Sequence, residues 1–164
     1  METLDLVRIN SQAPYTVLFD GTSYIFEISD TAYVVVRFTI EDKIRFLIGY
    51  WLGLETVSLN PTIKDDKIRQ TILCILDEFF RQNPSYVIYT CEYEDGKQAA
   101  RNRLFRSWFN NYEMKDRYIY SEKEIQVDGN NTFISLIVPT SHPMCEEVVG
   151  FFDEAINLFK SDKP

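Results

Sequence analysis

The stretch YTVLFDGTSYIFEI, Tyr15 to Ile28, does most to limit what this chain can fold into. Two runs of aromatic and branched residues flank Asp20-Gly21. Glycine supplies the positive φ that a tight turn between antiparallel strands needs. From Thr22 to Ile28 the residues alternate, with Tyr24, Phe26 and Ile28 on one face. An apolar sheet face must be covered by a second layer.

The rest of the chain supplies both more strand and the cover. Ser29-Asp30-Thr31 turns into AYVVVRFTI, which is rich in β-branched residues. Residues 44–59, IRFLIGYWLGLETVSL, have no clean period, and one or two strands ending before Asn60-Pro61 are expected there. Between Lys64 and Gln82, Ile68, Ile72, Ile75, Leu76, Phe79 and Phe80 recur at helical spacing. Asp65 and Asp66 suit the positive end of that helix, and Asn83-Pro84 stops it. YVIYTC then reads as a short buried strand, and the segment from Lys97 to Tyr112 as a second helix. Arg117–Val127 and Thr132–Val138 form a hairpin around Asp128-Gly129-Asn130-Asn131. From Pro143 a last amphipathic helix turns Val148, Val149, Phe152, Ile156 and Phe159 inward.

This order predicts an α+β fold of two layers, with a mainly antiparallel sheet of about six strands and about three helices packed on it. The strand between two helices leaves room for a parallel pair, and so for a mixed sheet. The 164 residues carry no repeat, low-complexity run or linker, which predicts one domain over 1–164. Aromatic residues make up 15% of the chain, which favours strands and an aromatic core.

METLDLVRIN has no basic region before an apolar run, so no export signal is expected. FLIGYWLGL, from Phe46, falls far short of the roughly 20 apolar residues of a membrane helix. Cys74, Cys91 and Cys145 are odd in number and widely spaced, as in reduced thiols of a cytoplasmic protein. A net charge of −8 argues against general attraction to nucleic acid or anionic lipid.

One segment runs against that charge. DGKQAARNRLFRSWF starts at Asp95, and from Lys97 to Arg117 there are six bases against two acids. On a helix Ala100, Leu104 and Trp108 align, Phe105, Phe109 and Tyr112 widen the stripe, and the bases fall on other faces. Two readings follow. In one, the aromatics dock on the sheet and the arginines pair with the protein's own acids. In the other, Lys97, Arg101, Arg103, Arg106, Trp108 and Phe109 form a ligand or partner surface, with phosphate at the helix start after Gly96 or bases stacked on exposed rings. The chain has neither G-x-x-x-x-G-K-[ST] nor G-x-G-x-x-G. The strand, basic loop and helix are similar to the cofactor-phosphate loop of acetyltransferases but lack its paired glycines.

No catalytic motif appears. His142 is the only histidine, and TSHPMCEE places it near Ser141, Cys145 and Glu146 at a helix start that favours a thiolate. A triad would need an orienting third group, and a zinc site more ligands. Glu92, Glu94 and Asp95 follow a strand, where metal-dependent nucleases keep carboxylates, but such a cluster is ordinarily a solvated turn. No metal and no cofactor is expected.

TILCILDEFFRQNP, YVIYTCEYEDGKQAARNRLF and WF together resemble a family of short Bacteroidetes proteins whose domain has no known function. The likeness spans roughly Ile68 to Phe109 and rests on Phe79, Phe80, Asn83, Pro84, Cys91, Glu92, Asp95, Gly96, Arg101, Arg103, Phe105, Trp108 and Phe109. It implies a bacterial cytosolic protein and transfers no activity. The function expected is that of a non-catalytic interaction module. It would dock an aromatic patch with arginine hot spots on a protein partner, or self-associate through an aromatic surface or a sheet edge. The alternatives are binding of a phosphate ligand or nucleic acid by the basic helix, and a metal-dependent nuclease or acetyltransferase-like enzyme.

Overall fold

The computed structural model describes residues 1–41, 48–58, 65–91 and 95–161. Its elements in chain order are α1 (Leu6–Gln12), β1 (Val17–Phe19), β2 (Tyr24–Ser29), β3 (Ala32–Glu41), β4 (Gly49–Ser58), α2 (Asp66–Gln82), β5 (Tyr86–Cys91), α3 (Gln98–Asn110), a 3-10 turn (Lys115–Arg117), β6 (Tyr118–Val127), β7 (Asn130–Pro139) and α4 (Cys145–Ser161). The strands form one open sheet in the order β1-β2-β3-β4-β5-β7-β6, mostly antiparallel with one parallel pair. The class is the α+β expected, with a mixed sheet. Among the described residues seven strands and four helices stand where about six and about three were expected. Residues 44–47 and 59 of the ambiguous stretch, the Asn60-Pro61 stop, Lys64, Glu92, Glu94 and the Phe159 side chain lie outside the described set.

The chain divides into two compact units: Met1–Thr39 with Trp51–Pro84, and Ile40–Tyr50 with Ser85–Pro164. In the first, the alternation of the opening hairpin sets the register. Val17 faces Phe26 and Phe19 faces Tyr24 across β1 and β2, while Tyr24 faces Val36 and Phe26 faces Val34 across β2 and β3. Gly21, at φ 101°, makes the turn. On this face Val17, Tyr24, Phe26, Val34 and Val36 are buried with Ile68, Ile72, Ile75 and Phe79 of α2. Phe38 stacks on Phe79 with centroids 4.3 Å apart. Removing such a ring from water stabilises by roughly 1.5–3 kcal/mol. Asp65 caps α2 by accepting from the Lys67 N–H at 2.8 Å, and Asn83 is its C-cap.

The first helix, α1, has no counterpart in the sequence reading. Seven residues are too few for a visible period, but Asp5 caps it and Ile9 is its buried anchor. Asn10 clasps Val17, donating from Nδ2 to the Val17 carbonyl at 2.9 Å and accepting from its N–H at 2.7 Å. Arg8 meets the buried carboxylate of Glu78 on α2 at 3.1 Å.

In the second unit β7 is paired on both sides, with Tyr89 opposite Ser135 on β5 and Glu122 opposite Ser135 on β6. Residues directly opposite share a face. Tyr89, Ser135, Tyr120 and Glu122 therefore share one face, and Lys123 lies on the other. Phe105 of α3 meets Tyr89, and Asp153 of α4 pairs with Lys123 at 3.0 Å. The two helices thus cover opposite faces, one layer more here than the two expected. This double cover explains why Tyr86, Val87, Ile88 and Tyr89 are all buried. The β6–β7 turn is Asp128-Gly129, at φ 50° and 80°. Gly49 lies against Tyr86: a Cβ at Gly49 would sit 2.1 Å from that ring, so only glycine fits.

Candidate functional site

The basic segment folds as α3 at the expected place, but rotated from the expected stripe. Asn102 is its buried residue, Phe105, Trp108 and Phe109 are half-buried, and Ala100 and Leu104 are exposed. The rings fix this orientation. Phe105 meets Tyr89 edge-on, with centroids 5.5 Å apart, and Phe109 stacks on Tyr120 at 4.8 Å. Trp108 packs edge-on against Phe105 at 5.2 Å.

Beneath α3 lies a connected polar cluster. Glu122 of β6, its side chain 17% exposed, receives a two-pronged bond from Arg106, from Nε to Oε2 at 3.1 Å and from Nη2 to Oε1. Tyr120 donates its hydroxyl to Glu122 Oε2 at 3.0 Å, and Asn102 adds a further hydrogen bond. The Tyr120 hydroxyl also lies 3.1 Å from that of Tyr89 and 3.2 Å from Ser135 Oγ. Burial by itself raises the carboxyl pKa, but the bonds from Arg106, Asn102 and Tyr120 outweigh it and hold Glu122 below its ordinary value. Burial pushes both tyrosine hydroxyls upward, so they stay protonated and donate. An ionised, fully bonded carboxylate flanked by neutral phenols is a clamp, not an acid–base pair.

The other bases of the segment divide the same way. Arg101 donates from Nη1 to Asp95 Oδ2 at 2.7 Å, and this bond with that of the Lys97 N–H brings the Asp95 carboxyl down to about 2. The Lys97 and Arg103 side chains are exposed and make no hydrogen bond or ion pair among the described residues. Of the six residues read as a surface, Arg101 and Arg106 are thus tied to the protein's own acids, and Phe109 and Trp108 are partly packed. Lys97 and Arg103 stand free. Asn102, Glu122, Tyr120, Tyr89 and Ser135 were missed. The one signal available was the spacing of Tyr120 and Glu122 on a single strand face.

The second candidate lies at the start of α4. His142 Nδ1 accepts from the Met144 N–H at 3.1 Å, and the His142 carbonyl accepts from the Cys145 N–H at 3.1 Å. Burial, then Glu146 and Glu147, push the Cys145 thiol up rather than toward thiolate. Among the described residues no group of three His, Cys, Asp or Glu side chains could hold a metal. Among the described residues no helix is long and apolar enough to cross a membrane.

The Glu122 cluster, α3 and the start of α4 all lie within the stretch that a family model recognises. The model, described as a family of unknown function (DUF6169), matches residues 64–154. The chain belongs to this family. The DUF6169 match thus takes in α3 and every member of the Glu122 cluster, as well as the segment on which the sequence resemblance rested. No curated protein and no solved structure shows significant similarity to the chain.

Proposed function

We propose that this DUF6169 protein is a non-catalytic interaction module that docks a protein partner on the outer face of α3. The observation that carries this reading is the pair Ala100 and Leu104 left at the surface beside the half-buried Trp108, with Leu104 48% exposed and Arg103, which makes no ion pair among the described residues, next to it. Aromatic and arginine side chains around an apolar contact are the residues that most often anchor protein interfaces. The clamp beneath gives the face rigidity, which lowers the entropic cost of binding. The arginines bound to Asp95 and Glu122 weigh against the phosphate and nucleic-acid alternative, since each would have to leave a bonded carboxylate to meet a phosphate.

The test is a photo-reactive residue placed at position 104 in living cells of the source organism, with exposed Glu154 as the control position. Discrete protein adducts at 104 and none at 154 are expected. In parallel, short RNA, short DNA and a nucleotide panel should show no binding at low salt. Salt-sensitive nucleic-acid binding that disappears in Arg103→Glu would overturn the reading in favour of phosphate recognition.

A further inference from the structure

The two ends of the sheet are built differently. At one end β1 has three residues, and the adjoining β2–β3 ladder shifts register between Glu27 and Ser29. Short strands and bulges are the usual protections of a sheet edge. At the other end β6 runs for ten residues, and all of them pair with β7 in unbroken register. No described strand pairs with its outer edge. It carries no proline, and two of its three central charges are drawn away from that edge. Glu122 is held by Arg106 on one face and Lys123 by Asp153 on the other. A long, regular edge of this kind is a template for another strand.

We propose that the strand it takes is β6 of a second copy, paired antiparallel about a two-fold axis at Ser121. Symmetry and charge select the register. A two-fold axis normal to the sheet keeps each face on its own side, and opposite residues share a face. The axis must therefore pass through a residue, not between two. Centred on Glu122 or Glu124, it sets glutamate against glutamate. Centred on Lys123, it sets lysine against lysine and Glu122 against Glu124. Like charges directly opposite destabilise. Centred on Ser121, it pairs Ile119 with Lys123, Tyr120 with Glu122 and Tyr118 with Glu124. This is the longest overlap of the strand free of like-charge pairs. The proposal concerns a different surface from α3, so either can fail alone.

The experiment is sedimentation of the full chain together with cysteine cross-linking. Wild type should show twice the 19.3 kDa of one chain at high concentration. Opposite Cα atoms at the axis lie about 4.5–5.5 Å apart, within disulfide reach. Mild oxidation of Ser121→Cys, a near-isosteric change, should thus give a covalent dimer absent from wild type. Glu124→Cys should give none, because its two copies would sit about 20 Å apart along the strands. Leu104→Glu should leave the dimer intact. A chain monomeric at every concentration, cross-linking at 124 without 121, or loss of the dimer in Leu104→Glu would each overturn the proposal.

Discussion

Glu122 ties the helix bearing the exposed Leu104 to the sheet, and its proton affinity makes that tie sensitive to acid. Its folded-state pKa is held below the ordinary value of about 4.3. The stability it contributes is therefore fully present at neutral pH and is lost as the pH falls through the folded value. Replacing it with glutamine should cost about 1.5–3 kcal/mol at pH 7, the range for hydrogen bonds to a charged group. Chemical denaturation should find that cost shrinking below about pH 4, as the wild-type carboxyl protonates. A cost unchanged at low pH would mean the carboxylate charge contributes nothing. Tyr86 offers the opposite case. Its buried hydroxyl makes no hydrogen bond among the described residues, and burial pushes its pKa up to about 12. Tyr86→Phe should be neutral or stabilising, whereas Tyr24→Phe should cost about 1 kcal/mol because the Tyr24 hydroxyl accepts from the Leu4 N–H at 2.8 Å. Gly49→Ala should destabilise by about 1–3 kcal/mol or more through overpacking, and Tyr86→Leu should recover part of that loss in a double-mutant cycle.

At the level of elements, the capping of α2 is the sharpest case. Asp65 binds both the Lys67 N–H and the Tyr15 hydroxyl, so Asp65→Ala should fall toward the upper end of the roughly 0.5–2 kcal/mol cost of losing a cap. A thermal shift no larger than that of an exposed Asp66→Ala control would refute this. The acidic start of α2 was legible in the sequence as helix-end charge, though not as a cap; α2 itself, the opening hairpin and the Asp128-Gly129 turn were legible too, because each is written in residues close together along the chain. The orientation of α3 was not. Its helical spacing fitted a stripe through Ala100 and Leu104, yet contacts with Tyr89, Tyr120 and Glu122 turned the helix toward Asn102 and Phe105. Those partners are distant in sequence, and no local pattern announces them. The same reason hid α1, whose partners include Val17 and Glu78. It also hid the second helical layer, since which face of a hairpin a helix covers is decided by tertiary contacts alone.

For the molecule as a whole, the thiols provide a readout of opening. Burial raises the pKa of all three, that of Cys91 to about 11. Alkylation at neutral pH should therefore be slow in the native state, with Cys91, which is 1% exposed, modified last and at the rate of unfolding. Rapid native-state modification of Cys91 would contradict the packing described. The two compact units are interleaved along the chain, each assembled from two separate segments, so the chain passes between them three times. No single cut can release either one whole. The recognised family segment, 64–154, starts with α2 yet omits the strands and the short helix that α2 packs on in the first unit. Expressed alone, it would present the apolar face of Ile68, Ile72 and Phe79 to water and should aggregate. What is inherited in this family as one stretch of sequence is thus not what folds as one object, and genetic dissection of the protein will have to proceed by substitution, not by truncation.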